Sequence, residues 1–367
     1  MRFPKSAFVL AGALFAAMSL VSAEEVFEGR RSVVLQGTDA RLVVDILGGS
    51  IVSFELNDQK LNPLRWANAG PADKPRQMSH FLCLDRWGPP SDAERASGMP
   101  FHGEAGLVEW QVIDQKATTG RMKATLPLAG LEIERSVWLA PEGSWFQVQE
   151  TVTNKNKLGR IYNMVQHASI GPPFLDTSVV VDSNALRGYP RGGSMPNPEE
   201  PNALWPKAPR PDGTEADVRR LINDSTPDVV SYVINGDIGW VTASNAAKGL
   251  LIGYIWSTEE YPWLNVWRRL EDGVPLARGL EFGTTGLHEP PPTLVKKGTI
   301  FGRRVYQYID AAEGQTRSYI GFLAKIPAGF QGVDNVVLQN GKLTLTERGG
   351  GSQMSIAAPA SIRPSNR

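Results

Sequence analysis

The chain has 367 residues, and its 38 Lys and Arg balance 38 Asp and Glu, so the formal net charge is zero. This balance argues against a nucleic-acid surface or an anionic membrane as partner, because both select basic chains or segments. The single cysteine, Cys83, cannot form a disulfide within the chain, so the core alone must stabilise the fold.

The first 23 residues have the pattern of a secretory signal peptide. Arg2 and Lys5 precede an apolar run from Ala7 to Val21, and Val21-Ser22-Ala23 supplies the small residues of a cleavage site. No later stretch reaches the roughly 18 uncharged apolar residues of a membrane span. We therefore predict a mature chain that starts at Glu24, is periplasmic or secreted, and has no stable membrane insertion.

Alternation of apolar and polar residues dominates the rest of the chain and predicts strands. One hairpin is predicted over 41–56, around Gly48-Gly49, and a second joins 131–139 to 145–152 around Pro141-Glu142-Gly143. Further strands are predicted at 161–167, 178–181, 229–234, 249–256, 279–284, 303–309, 316–322 and 342–346. This pattern predicts an all-β fold of packed antiparallel sheets in one large domain, residues 24–348.

Three segments depart from the strand pattern. Residues 215–223 are a candidate short helix, and residues 349–367 are predicted to be a polar, flexible tail. Gly188 to Gly213 contains seven prolines, and so long an irregular stretch is typical of a disordered loop or of part of a binding site.

Six short motifs follow one another along the chain. They are 46–54 with its Gly-Gly turn, Asn62-Pro63-Leu64, His102-Gly103 with Glu109-Trp110, the hairpin from Ile133 to Asn154, His167 followed by Phe174-Leu175, and Leu280-Glu281. In this order they resemble the aldose 1-epimerase (galactose mutarotase-like) superfamily. The resemblance spans nearly the whole mature chain. It implies a β-supersandwich with its site in a cleft on one sheet face.

The resemblance also implies an activity, the interconversion of sugar anomers, and a role for individual residues. Glu281 would take the proton of the anomeric hydroxyl, His167 would protonate the ring oxygen, and His102 would bind near that oxygen. Arg86 and Asp237 occupy the places in the motif order of a substrate-binding arginine and aspartate. The segment after His167 departs from the family's His-x-Tyr-Phe-Asn-Leu, since it reads His-Ala-Ser-Ile-Gly-Pro-Pro-Phe-Leu.

Aromatic residues between 256 and 267 suggest a sugar-binding surface, because flat rings match the apolar faces of sugars. Trp263 and Trp267 are the candidates for this role, and their alternative is to fill the core. The expected ligand is a small sugar or an oligosaccharide, without a metal or other cofactor, because four dispersed histidines and one cysteine form no metal motif.

Each candidate residue also has a structural interpretation. His167 and His102 could stabilise turns, Glu281 could lie on a solvated strand face, Arg86 could form a structural ion pair, and Asp237 could be a turn residue. His80 and His288 are interpreted as surface or structural residues.

Two other functions remain open at this stage. One is cleavage or binding of a polysaccharide, for which Glu281 with Asp237 or Glu289 would be the paired carboxylates. The other is a carbohydrate-binding envelope protein without catalysis.

Mass spectrometry of the protein from its native host tests the predicted signal peptide. We expect an N-terminus at or near Glu24, because cleavage follows the small residues of Val21-Ser22-Ala23. A mature chain that retains the apolar run 7–21 would contradict the prediction.

Overall fold

The computed structural model describes residues 25–192, 199–200 and 202–364, so the predicted signal peptide lies outside the described residues. Strand accounts for 51% of the described residues and helix for 5%. The all-β prediction is confirmed. No helix in these ranges is both long and apolar enough to cross a bilayer.

A twelve-stranded sheet forms the first layer. Its strands are β1 (Glu25–Phe27), β2 (Arg30–Gln36), β3 (Ala40–Asp45), β4 (Ile51–Leu56), β5 (His80–Asp85), β10 (Arg160–Ile170), β12 (Ala185–Pro190), β13 (Ala203–Leu204), β16 (Val229–Ile234), β19 (Trp263–Glu271), β20 (Val274–Gly283) and β23 (Gln307–Ile309). The order across it is β1-β2-β3-β4-β5-β10-β20-β19-β16-β12-β13, and β23 pairs with β10.

An eight-stranded sheet packs against the first. Its strands are β6 (Gln111–Gln115), β7 (Thr119–Leu126), β8 (Leu131–Leu139), β9 (Trp145–Asn154), β11 (Val180–Ser183), β17 (Ile238–Asn245), β18 (Leu250–Ser257) and β24 (Gly314–Lys325). Their order is β11-β17-β18-β24-β9-β8-β7-β6. Because side chains alternate across a strand, every second residue of β8 is buried against the first sheet. The main apolar core therefore lies between the two sheets.

Smaller elements cover the outer faces. Strands β25 (Val333–Gln339), β26 (Lys342–Glu347) and β27 (Gln353–Ala357) form a third sheet, and β14 (Lys207–Pro209) with β15 (Glu215–Asp217) and β21 (Thr299–Ile300) with β22 (Arg303–Arg304) form two small hairpins. The helices are α1 (Asp92–Ala96) and α2 (Pro291–Lys297), with single 3₁₀ turns at Ala105–Leu107 and Ala246–Lys248.

Both predicted hairpins are present, as β3–β4 and β8–β9. The predicted helix at 215–223 is wrong, because Glu215–Asp217 is the extended strand β15, paired with β14. The folded region also continues beyond residue 348: β27 pairs with β26, and buried Ile362 joins an apolar cluster with Leu343. Strand pairing, half-burial of alternate residues of β27 and burial of Ile362 place this segment in the folded region, and local composition shows none of these.

A buried polar network crosses the core. Arg135 of β8 pairs with Glu150 of β9 at 2.6 Å, and both side chains are at most 2% exposed. The second oxygen of Glu150 accepts a hydrogen bond from Gln166 Nε2 on β10 at 2.6 Å, which links the two sheets. Gln166 Oε1 lies 3.1 Å from His80 Nε2. The buried charges of Arg135 and Glu150 thus compensate each other, and Gln166 connects them to His80.

We expect Glu150→Ala to lower the free energy of unfolding by about 3–5 kcal/mol, because it leaves the buried Arg135 guanidinium unpaired. Glu134→Ala is the matched control, since Glu134 pairs with Arg121 at the surface, with side chains 45% and 50% exposed. Its loss should cost less than about 1 kcal/mol. Urea unfolding monitored by fluorescence measures both, and equal losses in the two variants would contradict this account.

Candidate active site

Strands β5, β10 and β20 lie side by side in the first sheet and form the floor of the candidate site. His167 of β10 is opposite Phe81 of β5, and the neighbouring residues of β10 are paired with β20 at Gln166–Phe282 and Ser169–Gly279. The pleat turns successive side chains to opposite faces. His167 therefore lies on the outer face, while Gln166 lies in the core.

His167 and Glu281 form a direct contact on that outer face, with Nε2 and Oε1 3.2 Å apart. The second oxygen of Glu281 accepts a hydrogen bond from Trp87 Nε1 at 2.7 Å. On the other side of the imidazole, His167 Nδ1 lies 2.9 Å from Ser169 Oγ. Phe81 stacks on the His167 ring at a centroid distance of 4.2 Å. Both partners of the pair are therefore fixed in position.

His102 is held beside this pair by a tight turn. Its backbone has φ +67°, and Gly103 follows with φ +76°. Gly88 N–H donates to His102 Nδ1 at 3.1 Å, so in the neutral ring the proton is on Nε2. The His102 ring centroid lies 5.4 Å from that of His167. His102 can therefore donate a hydrogen bond from Nε2.

Burial shifts the protonation of the pair towards neutral forms. The pKa of Glu281 is raised to about 8 by burial, partly offset by the Trp87 hydrogen bond. Burial lowers the pKa of His167 to about 3 and that of His102 well below its usual range. At neutral pH Glu281 thus carries a transferable proton beside a neutral His167.

A small cleft lies above these residues, with a volume of about 210 Å³. It is smaller than the roughly 300–1,000 Å³ of sites for drug-sized ligands. The residues that line it are the aromatic Trp66, Phe81, Trp87, Phe101 and Trp267, the ionisable His102, His167, Arg191, Arg269, Glu281 and His288, and Asn68, Gln77 and Val229.

Gly279 makes room for the carboxyl group of Glu281. A Cβ at this position would lie 2.5 Å from Glu281 Oε1 and 2.9 Å from the Cβ of Trp267. Such contacts are far inside van der Waals distance, so any side chain here would displace the carboxylate or the indole. The glycine is therefore a positioning residue for both.

The structure brings four of the seven predicted site residues to the cleft: His102, His167, Trp267 and Glu281. Trp267 contacts the His167 ring edge-on at a centroid distance of 5.6 Å.

The other three lie elsewhere. Trp263 is fully buried and donates from Nε1 to the Arg304 carbonyl at 2.9 Å, so it belongs to the packing on the outer face of the sheet. Arg86 is also buried and pairs with Asp85 and Glu94, which anchors α1 to the end of β5. Asp237 is exposed in the turn between β16 and β17. Arg86 and Asp237 thus lie in an ion pair and a turn, as in their structural interpretations, whereas Trp263 is buried on the outer face and not in the core between the sheets.

Sequence reasoning missed several lining residues. His288, interpreted as surface or structural, lies in the loop after β20, with its ring 5.5 Å from that of His102. Trp66 packs edge-on against Trp267 at 5.3 Å. One signal in the sequence is the proline-rich segment that starts at Gly188, which is typical of a disordered loop or of part of a binding site. Arg191 of this segment lines the cleft.

No group of three His, Cys, Asp or Glu residues is placed to hold a metal ion within 25–192, 199–200 and 202–364.

Solved structures with a similar fold include galactose mutarotase-like proteins. A galactose mutarotase related enzyme from Lactobacillus acidophilus superposes with a TM-score of 0.60 at 11% identity, covering 81% of this chain and 98% of that one. Galactose mutarotase-like proteins from Lactobacillus casei and Clostridium acetobutylicum give TM-scores of 0.55 and 0.56 at 15% and 12% identity. They cover 80% and 83% of this chain and 100% and 98% of their own lengths.

No protein-family model matches the chain, and no curated protein sequence does. The solved structures establish its fold: the chain has the galactose mutarotase-like β-supersandwich fold, as its motifs predicted.

We expect Glu281→Gln to stabilise the protein above pH 5. The pKa of the Glu281 carboxyl group is higher in the folded protein than in the unfolded protein. Its contribution to stability is therefore fully present below the unfolded pKa, near 4.5, and is lost as the pH rises through the folded pKa of about 8. Gln is always neutral, so the difference in unfolding free energy should grow by about 1.4 kcal/mol per pH unit across that window. Thermal or urea unfolding at pH 4 to 9 measures it.

Glu142→Gln is the matched control, because Glu142 is exposed in the β8–β9 turn. Its difference from wild type should stay flat over the same range. A flat difference for Glu281→Gln as well would show that the Glu281 carboxyl group ionises in the folded protein as it does in water.

Proposed function

We propose that the protein is an aldose 1-epimerase-like enzyme that interconverts the anomers of a sugar. The observation that carries the proposal is the buried contact of 3.2 Å between His167 Nε2 and Glu281 Oε1 in a cleft sized for a small ligand. Anomer exchange requires one base and one acid at adjacent oxygens of one ring. A protonated carboxyl group in direct contact with a neutral imidazole meets this requirement.

The proton balance of the reaction fits this pair. Transfer of the Glu281 proton to His167 Nε2, across the 3.2 Å contact, converts the neutral pair into a carboxylate and an imidazolium. Glu281 then accepts the proton of the anomeric hydroxyl, while His167 gives its proton to the ring oxygen and the bond from C1 to the ring oxygen breaks. The open-chain aldehyde rotates about the C1–C2 bond. Reversal of both proton transfers closes the ring as the other anomer.

Neighbouring groups support a ring in this position. His102 Nε2–H is available to donate to the ring oxygen or to a hydroxyl, because Nδ1 is occupied by Gly88 N–H. The Trp267 and Trp66 rings offer flat apolar surface to the carbon–hydrogen face of a sugar.

Polysaccharide hydrolysis is less well supported. A glycoside hydrolase needs two carboxyl groups on either side of the scissile bond. Glu281 is the one carboxyl group among the described lining residues, and neither Asp237 nor Glu289 is among them. The small volume also fits one sugar ring better than an extended chain.

We expect Glu281→Gln and His167→Gln each to slow enzymatic mutarotation by about 10²- to 10⁴-fold, the usual contribution of a positioned acid or base. Glu281→Gln should affect kcat more than KM, since the amide keeps the shape but cannot accept the proton. Wild-type activity should hold between the two pKa values, about 3 and 8, and fall on either side. Polarimetry or NMR exchange on a panel of aldoses and uronic acids measures these rates.

Asp237→Asn is the control and should leave the rate unchanged, because Asp237 is exposed in a turn away from the cleft. Trp267→Ala tests the binding surface and should weaken sugar binding, because its ring lines the cleft. Unchanged rates in Glu281→Gln and His167→Gln would exclude this pair as the catalyst, while binding without any acceleration in wild type would favour a carbohydrate-binding protein.

A further inference from the structure

Two guanidinium groups line the cleft, and neither has an acidic partner among the described residues. Arg191 follows β12, and its backbone N–H donates to the Val229 carbonyl at 2.9 Å; Arg269 lies on β19, two residues after Trp267. Both side chains are exposed at the cleft. Neither forms an ion pair or side-chain hydrogen bond with another residue of the described ranges. Residues 193–198, which lie outside those ranges, are Gly-Ser-Met-Pro-Asn-Pro and contain no carboxyl group.

The position of Arg269 follows from the pleat of β19. Asn265, Trp267 and Arg269 alternate along this strand, so their side chains share the outer face, and Asn265 is paired with Glu281. Arg269 lies four residues beyond Asn265, so its Cα is about 13 Å along the strand from the Cα of the residue paired with Glu281. The long Arg269 side chain can span part of this distance towards His167 and Glu281. It would therefore meet a substituent of the sugar and not its anomeric centre.

Arg191 lies on the side of the cleft that holds the histidines. After burial, its positive charge is the largest influence that lowers the pKa of His288, and it also lowers that of His102. Burial is the main reason that both imidazoles are neutral, and the nearby cation adds to its effect. The same field attracts an anion into the cleft.

The cleft carries a net positive charge. Its histidines are neutral by burial, and Glu281, even counted as a carboxylate, offsets one of the two arginines. A cleft with one sign of charge raises the local concentration of ligands of the opposite sign and selects among them. Neutral sugars gain no charge–charge attraction from this arrangement.

We propose that the substrate is an anionic sugar, whose carboxylate or phosphate group is bound by Arg191 and Arg269 while its anomeric carbon lies at His167 and Glu281. This inference rests on the proposed function for the placement of the ring. The shared chemistry is an oxyanion attached to the sugar at the end remote from C1, which both guanidinium groups bind through charge-assisted hydrogen bonds.

Matched sugars that differ only at C6 test the proposal by titration calorimetry. In the gluco and galacto series, the neutral hexose, the uronic acid and the hexose 6-phosphate are compared with wild type, Arg191→Gln, Arg269→Gln and the double variant. We expect one charged sugar to bind wild type at least about tenfold more tightly than its neutral counterpart. The uronic acids and the phosphates distinguish the two oxyanions.

Each substitution should weaken binding of the charged sugar by about tenfold and leave the neutral sugar within about twofold. Added salt should weaken the charged sugar alone. Arg121→Gln is the control, because Arg121 is an exposed arginine outside the cleft, on β7, and should change neither. Circular dichroism checks that all variants fold.

Three results separate this inference from the proposed function. A charged preference that the double variant loses, without mutarotation of any sugar, would support the anion site and overturn the enzyme activity. Mutarotation of neutral sugars, with equal affinity for charged and neutral ligands, would support the enzyme activity and overturn the anion site. A charged preference that survives in the double variant, or no binding of any sugar in the panel, would overturn the role of the two arginines.

Discussion

The pleat of strand β10 is the constraint on which the rest of the structure depends. Gln166 and His167 are adjacent in sequence, yet they face opposite sides of the twelve-stranded sheet. Gln166 binds Glu150 and fixes the strand against the second sheet, while His167 meets Glu281 in the cleft. A shift of one residue would exchange the two faces. The buried polar network therefore sets the register that the acid–base pair requires.

Burial gives the site its chemistry at a cost in stability. The apolar surroundings of Glu281 and His167 move both pKa values towards the neutral forms, so a protonated carboxyl group lies 3.2 Å from a neutral imidazole nitrogen. The same desolvation opposes folding at pH values where an isolated carboxyl group would ionise. Gly279 adds to this arrangement, since only the absence of a side chain there allows the carboxyl group to lie against the strand.

The cleft joins two kinds of surface with different roles. Its floor is made by central strands whose other face is the core, so the pair and the Phe81 ring have little freedom. Its outer part comes from loops and strand ends, including His288 and Arg191. Rigid strands suit residues that must hold a fixed distance, whereas loops vary more readily with the ligand.

Much of the fold could be predicted locally. Alternation over 131–139 and 145–152 is a property of neighbouring residues, and it gave the β8–β9 hairpin at nearly the observed limits. The prediction failed at 215–223, where pairing with β14 makes Glu215–Asp217 extended although the composition allows a helix. Pairing with a strand that is distant or poorly marked in sequence overrides local preference.

The sequence by itself determined the all-β class, the hairpins, and the order of motifs that singled out His102, His167 and Glu281. Tertiary structure alone decided which other residues join them. Trp263 and Trp267 lie on the same strand, but the first is covered by the loop over the sheet and the second faces the cleft. Trp87 reaches Glu281 across 194 residues of chain. Alternation determines which face a side chain takes, whereas long-range pairing and the covering loops determine what it meets there.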